Sequence, residues 1–225
     1  GLIESITAAA PLAARTIYCG DDDQLSWTMV PDCSPLWAAA PYLETVTLAG
    51  SLIELGKLEH ERLRCLKLIS GGLPTAPVRS LTDGHAPMLE ELELWFGDTE
   101  YGAECSVETV RPLLAKSFPA LRSMALINCE FSDELVPLLP EAVWLEQLET
   151  LKLGGGILRD PAGEALIAAA DSFRHLKTLD VSESFLSADM VAQLSETFGD
   201  CIALGEQQVA DEYNGEAYYY VSLGE

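Results

Sequence analysis

The sequence predicts an α/β solenoid, with a parallel sheet on the concave side and helices on the convex side. Three observations predict it. The pattern L-x-x-L-x-L occurs six times, most clearly in residues 89–94, and successive copies begin 20 to 32 residues apart. Four segments with helical periodicity lie between or after the copies. Together these features are typical of a leucine-rich-repeat solenoid, a right-handed β-α superhelix or horseshoe with capped ends.

Residues 1–42 are predicted to form an N-terminal cap or an atypical first repeat. Residues 2–14 have the apolar spacing of a short amphipathic helix, and Arg15–Cys19 is typical of a first strand. The acidic triplet Asp21–Asp23 resembles a turn, and Leu25–Met29 alternates as an edge strand does. Terminal repeats must cover an otherwise exposed core, so we expect these elements to close this end of the array.

Residues 43–205 are predicted to hold the repeats themselves. The first interval has 20 residues and no room for a full helix. Strand copies begin at Leu43, Leu63, Leu89, Leu121, Leu148 and Leu176, and a weaker copy ends the series at Ile202–Leu204. The helical segments are Val107–Phe118, Asp133–Trp144, Pro161–Phe173 and Ala188–Phe198, with Ser106, Ser132, Asp160 and Ser187 at the expected N-caps.

Residues 206–225 are predicted to form a capping hairpin. Asn214–Gly215 lies between two alternating segments, Val209–Tyr213 and Glu216–Val221, which is a hairpin signature. A disordered acidic tail is the alternative. We favour the hairpin because aromatic side chains gain from burial, and four tyrosines could shield the open end of the last repeat: Tyr213, Tyr218, Tyr219 and Tyr220.

Alternation along each strand turns the leucines inward and places positions 3, 5 and 7 on the concave surface. In the row of fifth positions, Lys67 neighbours Glu93 and Lys152 neighbours Asp180, so we expect two lateral ion pairs and a nearly neutral face. The position-3 row reads Thr45, Cys65, Glu91, Ser123, Thr150, Thr178. The position-5 row reads Thr47, Lys67, Glu93, Ala125, Lys152, Asp180, and the position-7 row Ala49, Ile69, Trp95, Ile127, Gly154, Ser182.

An apolar strip occurs in the row of seventh positions, where Ile69, Trp95 and Ile127 stand side by side. A tryptophan between two isoleucines on an exposed sheet is typical of a protein-binding hot spot. The longest interval adds the rim loop Gly97–Cys105 directly after the strand that carries Trp95. The loop either contributes specificity, as rim insertions often do, or is a harmless insertion. The strip is either an exposed hot spot or is buried because the loop folds over it.

Composition restricts the classes of partner. The chain has 13 basic and 36 acidic residues, a formal net charge of −23, which disfavours nucleic acids and anionic membranes. This charge would attract a basic protein partner or a cation, although such acidity more often serves solubility. No apolar run is long enough for a membrane span, and no signal peptide opens the chain. Six scattered cysteines without a C-x-x-C pair indicate reduced thiols and a cytoplasmic location. The first residue is Gly, so residues upstream remain possible.

The sequence offers little catalytic chemistry, and we expect neither an enzyme nor a cofactor. No nucleophile-elbow, metalloprotease or phosphate-loop pattern occurs, and the three histidines suit loops or helix edges. The densest group of carboxylates consists of Glu91, Glu93, Asp98 and Glu100. Such a group can bind a metal or act as an acid–base pair, although carboxylates on a strand face are more often a solvated surface.

Several short motifs resemble a bacterial family of leucine-rich-repeat proteins of the ribonuclease-inhibitor-like repeat class. They are Gly56-Lys57-Leu58 with His60, Gly71-Gly72-Leu73, Leu89–Trp95 followed by Gly97-Asp98 and Tyr101-Gly102, and Tyr218–Val221 with Ser222, Gly224 and Glu225. The resemblance covers roughly residue 25 to the end. It implies the same fold and no catalytic residue. It also implies further sequence before residue 1, since related repeats occur beside WGR domains or in molybdate-regulator-like proteins.

These observations predict a protein-interaction module that uses the concave sheet and the rim loop. The predicted partner-binding residues are Ile69, Glu91, Glu93, Trp95, Asp98, Glu100, Tyr101 and Ile127. One alternative is a metal-binding or hydrolytic protein that uses the four carboxylates. The other is a structural spacer for an N-terminal domain outside this sequence.

Overall fold

One parallel sheet runs through the molecule. The computed structural model describes residues 15–20, 25, 28–30 and 32–223, and there eight strands pair in chain order. Every neighbouring pair is parallel. The strands are β1 (Thr16–Gly20), β2 (Thr45–Ala49), β3 (Cys65–Ile69), β4 (Glu91–Gly97), β5 (Ser123–Cys129), β6 (Thr150–Lys152), β7 (Thr178–Asp180) and β8 (Ile202–Ala203). The predicted α/β leucine-rich-repeat-like solenoid is confirmed.

The repeat pattern explains the register of the sheet. Leu66 of β3 lies opposite Leu92 of β4, which lies opposite Met124 of β5, and the row continues through Leu151 and Leu179. These side chains are buried with no measurable exposure. Because a slip of one residue would turn every leucine to the other face, burial of this row holds the strands in one register.

Helices connect the strands and cover the leucine face of the sheet. The α-helices are Ser34–Ala39, Thr75–Asp83, Val107–Leu114, Ser132–Leu135, Asp160–Ala168, Ala170–Phe173 and Ala188–Phe198. Shorter 3₁₀ turns are Thr99–Tyr101, Val136–Glu141, Leu145–Gln147 and Gly199–Cys201. Their apolar sides and the strand leucines form one continuous buried cluster. As expected, the short first interval between β2 and β3 contains no helix.

Prolines shorten the predicted helix Asp133–Trp144. Only Ser132–Leu135 is α-helical, and Val136–Glu141, which contains Pro137 and Pro140, continues as 3₁₀ turns. A proline cannot donate the hydrogen bond that an α-helix requires from each backbone nitrogen, so the α-helix stops before the pair.

Two of the four predicted N-caps are wrong by one residue. Ser132 and Asp160 are the first helical residues, whereas Ser106 and Ser187 do occupy N-cap positions. The Ser132 hydroxyl instead donates to the Cys129 carbonyl at 2.8 Å. The Asp160 carboxylate accepts from the Ser187 backbone N–H at 2.8 Å and so ties two neighbouring repeats together.

The helix Thr75–Asp83 was not predicted from the sequence. It begins after Pro74, whose fixed φ suits a helix start, and ends at Gly84. Pro77, Val78 and Leu81 bury its inner face. This repeat therefore has a helix, as the next one does.

The N-terminal region contributes the first strand of the sheet. The predicted strand Arg15–Cys19 corresponds to β1, which pairs with β2. Residues 26 and 27 of the predicted edge strand Leu25–Met29 lie outside the described residues, and Met29 forms a parallel bridge with Ser51. The predicted helix over residues 2–14 and the turn Asp21–Asp23 lie outside the described residues.

A C-terminal hairpin lies apart from the main sheet. Its strands, β9 (Asp211–Tyr213) and β10 (Glu216–Tyr218), are antiparallel, and Asn214 and Gly215 both have positive φ as a tight hairpin turn requires. The strand β10 is fully exposed. Beyond it, residues 219–223, here called the tail, run back along the rim toward β5, where Leu223 is bonded to Asn128.

Candidate functional site

The position-3 and position-5 rows predicted for the concave surface lie side by side in the sheet. Successive members of the position-3 row, from Thr45 to Thr178, are register partners, and so are those of the position-5 row, from Thr47 to Asp180. Most of these side chains are partly exposed, whereas the leucines between them are buried. We call this surface, with the position-7 row beside it, the open face.

A five-residue network, the Lys67 cluster, occupies the open face on β3 and β4. The Lys67 ammonium lies 2.8 Å from Glu91 Oε1 and 3.1 Å from Glu93 Oε2. The second oxygen of Glu93 accepts from the Trp95 indole N–H at 2.7 Å, and the Cys65 thiol donates to Glu91 Oε2 at 3.5 Å. The predicted Lys67–Glu93 pair is confirmed, and Glu91 joins it because the neighbouring strand places two carboxylates beside one cation.

The Lys67 cluster has the protonation states of an ion-pair network. Burial alone would lower the pKa of Lys67, but its hydrogen bonds to the two glutamates outweigh burial and raise that pKa. Burial opposes ionisation of Glu91 too, yet Lys67 keeps the pKa of Glu91 below its usual value. Burial and the Glu91 charge raise the pKa of Cys65 to about 12. Cys65 is therefore a neutral thiol, and thiolate is the form that attacks as a nucleophile.

The apolar strip is partly exposed on the open face. Trp95 lies directly opposite Ile127, and Ile69 follows the last paired residue of β3 on the other side. All three side chains are partly buried. Trp95 and Ile127 border an open cavity of about 220 Å³. Its remaining lining residues are Glu93, Asn128, Lys152, Gly154, Gly155, Asp180, Glu183 and Ser222, so none belongs to the rim loop.

Lys152 stands in this cavity without a carboxylate partner. The predicted Lys152–Asp180 ion pair is wrong: throughout the described chain, no acidic group lies within 4.0 Å of the Lys152 ammonium. One Asp180 oxygen instead accepts the backbone N–H of Ser182 at 2.9 Å, which turns the carboxylate toward its own chain. The charge of Lys152 is thus left facing the cavity.

The rim loop folds toward the preceding repeat. The Asp98 backbone N–H donates to the Gly71 carbonyl at 2.7 Å, and that of Glu104 donates to the Leu73 carbonyl at 3.2 Å. Gly72 permits this close approach, because a Cβ there would lie 2.2 Å from the Tyr101 carbonyl oxygen. The loop therefore lies beside the apolar strip.

Acidic side chains collect on the rim loop. Asp98 caps its turn by accepting the Glu100 backbone N–H at 2.7 Å, and Glu130 of the next repeat accepts that of Thr99 at 3.1 Å. Burial, followed by the charge of Asp98, raises the pKa of Glu130. Tyr101 is exposed at this rim. The structure thus separates Asp98 and Glu100 from Glu91 and Glu93, which belong to the Lys67 cluster.

The geometry gives no support to the metal-binding alternative. Within the described residues, no group of three or more histidine, cysteine or acidic side chains is arranged to hold a metal ion. Glu91 and Glu93 are engaged by Lys67, while Asp98 already caps a turn. Of the histidines, His60 is buried and bonded to the Ala40 carbonyl at 3.1 Å, and His175 contacts the Leu145 carbonyl at 2.9 Å.

Four of the ten residues that line the cavity were not predicted from the sequence. Asn128, Gly155, Glu183 and Ser222 were outside the rows considered, and Lys152 was assigned to an ion pair. Asn128 had a usable sequence feature, since it is a polar residue near the end of the apolar strand β5. Ser222 had none, because it reaches the cavity only through the path of the tail.

The fold and this face define a leucine-rich-repeat-like solenoid with a mixed apolar and charged open surface. No protein-family model matches the chain, and neither does any curated protein. Among solved structures, a Bacteroides fragilis protein crystallised by a structural genomics consortium is similar, with a TM-score of 0.88 and 28% sequence identity. The alignment covers 98% of this chain and 63% of that protein, so the chain spans less than two thirds of it. Among the described residues, every helix is too short or too polar to cross a bilayer.

Proposed function

We propose that this protein is an interaction module that binds a protein partner through the open face and the rim loop. The observation that carries the proposal is the pairing of Trp95 with Ile127 at the edge of an open cavity. Apolar side chains surrounded by polar groups, beside a recess that can receive a partner's side chain, are typical of interaction hot spots.

Pre-organisation of Trp95 supports this proposal. Its indole N–H is bonded to Glu93, which Lys67 holds in turn, so the ring is oriented before a partner arrives. A side chain already fixed in its binding orientation loses little conformational entropy on association. The Lys67 cluster then has a supporting role, and the cavity beside it receives the partner.

The charge distribution favours a basic partner. The chain has a formal net charge of −23, and Asp98, Glu100 and Glu130 form an acidic rim next to the open face. Long-range attraction of this kind speeds association and weakens with salt. Inside the cavity, the Lys152 ammonium would repel a cationic group of the partner placed next to it. It favours a carboxylate or a carbonyl oxygen of the partner at that position.

We also propose the bacterial leucine-rich-repeat family as the chain's family and the cytoplasm as its location. The solved Bacteroides fragilis structure supports a bacterial origin of the fold. Cys65, Cys105, Cys129 and Cys201 have free thiols, as expected of a reducing compartment.

The test is capture of the partner from native cells by the immobilised protein, followed by affinity measurement with the purified partner. Trp95→Ala should weaken binding at least about tenfold, as loss of a hot-spot aromatic does. Tyr42→Ala is the matched control, because Tyr42 is an exposed aromatic off the open face that stacks under Arg62. Equal affinities of wild type and Trp95→Ala for a partner would refute the proposal.

A further inference from the structure

The tail lies in a groove on the rim, which we call the rim groove. Its lining is formed by Asn128, Gly155, Arg159, Phe185 and Gln208, which come from four successive segments of the array. Asn128 and Leu223 are 95 positions apart in the chain.

The Asn128 side chain forms hydrogen bonds with the backbone of the tail. Its amide NH₂ donates to the Leu223 carbonyl at 2.7 Å, and its amide oxygen accepts the Leu223 N–H at 2.8 Å. Asn128 is completely buried and has a left-handed backbone with φ 54°. One residue earlier, the Ser222 N–H donates to the Gly155 carbonyl at 2.8 Å. These contacts are made to main-chain atoms of the tail, so they do not depend on its side chains.

The other end of the groove recognises aromatic rings. Tyr219 and Tyr220 both meet Phe185 edge to face, with centroids 5.1 and 5.4 Å away. The Arg159 guanidinium lies over the Tyr219 ring at 5.0 Å and is held by Asp133 at 2.8 Å. Phe185 is itself buried under the two tyrosines. Val221, the next residue of the tail, is also buried. Two adjacent aromatics and this apolar residue thus define the side-chain specificity of the groove.

The tail is tied to the array by an exposed linker. The hairpin β9–β10 stays outside the eight-stranded sheet, and the described side chains of residues 211–218 are exposed. Ser222 also lines the cavity beside Trp95, so the tail forms one wall of the open-face cavity. Undocking the tail would enlarge that cavity without unfolding a strand.

We propose that the rim groove is a peptide-binding site, that the tail occupies it as a built-in ligand, and that a partner's segment with two adjacent aromatic residues followed by an apolar residue displaces it. The tail itself, seated by backbone, aromatic and apolar contacts, shows what such a segment must offer. This inference goes beyond the proposed function: the groove shares Asn128 and Gly155 with the open-face cavity, but the contacts that seat the tail do not involve Trp95.

The test uses the full chain and a fluorescent peptide with the sequence of residues 217–223, measured by anisotropy. In the wild type, the tethered tail competes at an effective concentration of about millimolar, so the peptide should bind poorly. The variant Tyr219→Ser/Tyr220→Ser weakens the tail and leaves the groove intact. We expect it to bind the peptide at least about tenfold more tightly than the wild type does.

Adding Asn128→Gly to that variant should reduce the peptide affinity about tenfold, since the two backbone hydrogen bonds are lost. Glycine accepts the left-handed conformation at this position, so the fold is retained, which circular dichroism checks. Adding Trp95→Ala should leave peptide affinity unchanged, which separates this proposal from the function of the open face. A peptide with serine in place of Tyr219 and Tyr220 should not bind.

Two results would overturn the proposal. One is the absence of peptide binding to the folded tail-weakened variant at up to about millimolar peptide, which would make the tail a purely structural clip. The other is a concentration-dependent wild-type dimer in sedimentation velocity that Asn128→Gly abolishes, because the groove would then take the tail of a second copy.

Discussion

Lys67 and Lys152 occupy the same row of the open face and have opposite surroundings. Lys67 has two glutamates of the next strand within 3.1 Å, one from position 3 and one from position 5. Lys152 lies between Ala125 and Asp180, and the Asp180 carboxylate accepts a backbone N–H of its own loop. The difference shows that neighbouring strands, more than the residue itself, decide whether a charge stabilises the sheet or is free for a ligand.

The largest effect on stability is expected from removing Lys67, the lysine that is paired with two glutamates. Lys67→Met leaves Glu91 and Glu93 side by side without a counter-charge, and Glu93 is only 12% exposed. Loss of one partner from a partly buried network costs about 1–2 kcal/mol of unfolding free energy. Lys152→Met should change it by less than about 0.5 kcal/mol, as surface substitutions usually do.

Urea denaturation of both variants under identical conditions measures this contrast. Equal losses of stability would mean that Lys152 has a structural partner, and the distinction between the two lysines would fail.

A smaller effect is expected where the Lys67 cluster meets the cavity. Trp95→Phe keeps an aromatic ring but removes the 2.7 Å bond to Glu93, which should cost about 1 kcal/mol. Glu93→Gln and the double variant complete a double-mutant cycle. A coupling energy of at least about 0.5 kcal/mol would support Glu93 as the group that orients Trp95. Independent, additive losses would contradict it.

The smallest effects concern pH and have opposite signs in two regions. Lys67 lowers the pKa of Glu91 against the effect of burial, so ionised Glu91 stabilises the fold above the unfolded-state value of about 4.3. That stabilisation is lost as the pH falls through the lowered value. Glu91→Gln should therefore destabilise the protein at neutral pH, and the difference should vanish in acid.

Glu130 on the rim should behave in the reverse way. Burial and Asp98 raise its pKa, so its ionised form destabilises the fold at neutral pH, and this penalty disappears as the pH falls through the raised value. Glu130→Gln should increase the unfolding free energy by a few tenths of a kcal/mol at neutral pH and leave it unchanged in acid. Denaturation of both variants along a pH series measures this contrast. Stability changes of the same sign in the two variants would contradict the prediction.

The leucine pattern alone predicted the strands, their parallel order and the three rows of the open face. Burial of the leucines permits one register, because alternation has a period of two and a slip would expose them all. From that register, the proximity of Lys67 to Glu93 and of Trp95 to Ile127 followed directly.

Side-chain choices and long-range docking were decided only in three dimensions. Asp180 could have bonded Lys152, but the backbone N–H of Ser182 was nearer to it, and sequence periodicity carries no information on such competition. Leu223 of the tail contacts Asn128, 95 positions earlier in the chain, and the tail contains no repeat pattern from which this contact could be predicted. Local periodicity thus determined the scaffold, whereas competition among polar groups and contacts between distant segments determined the site.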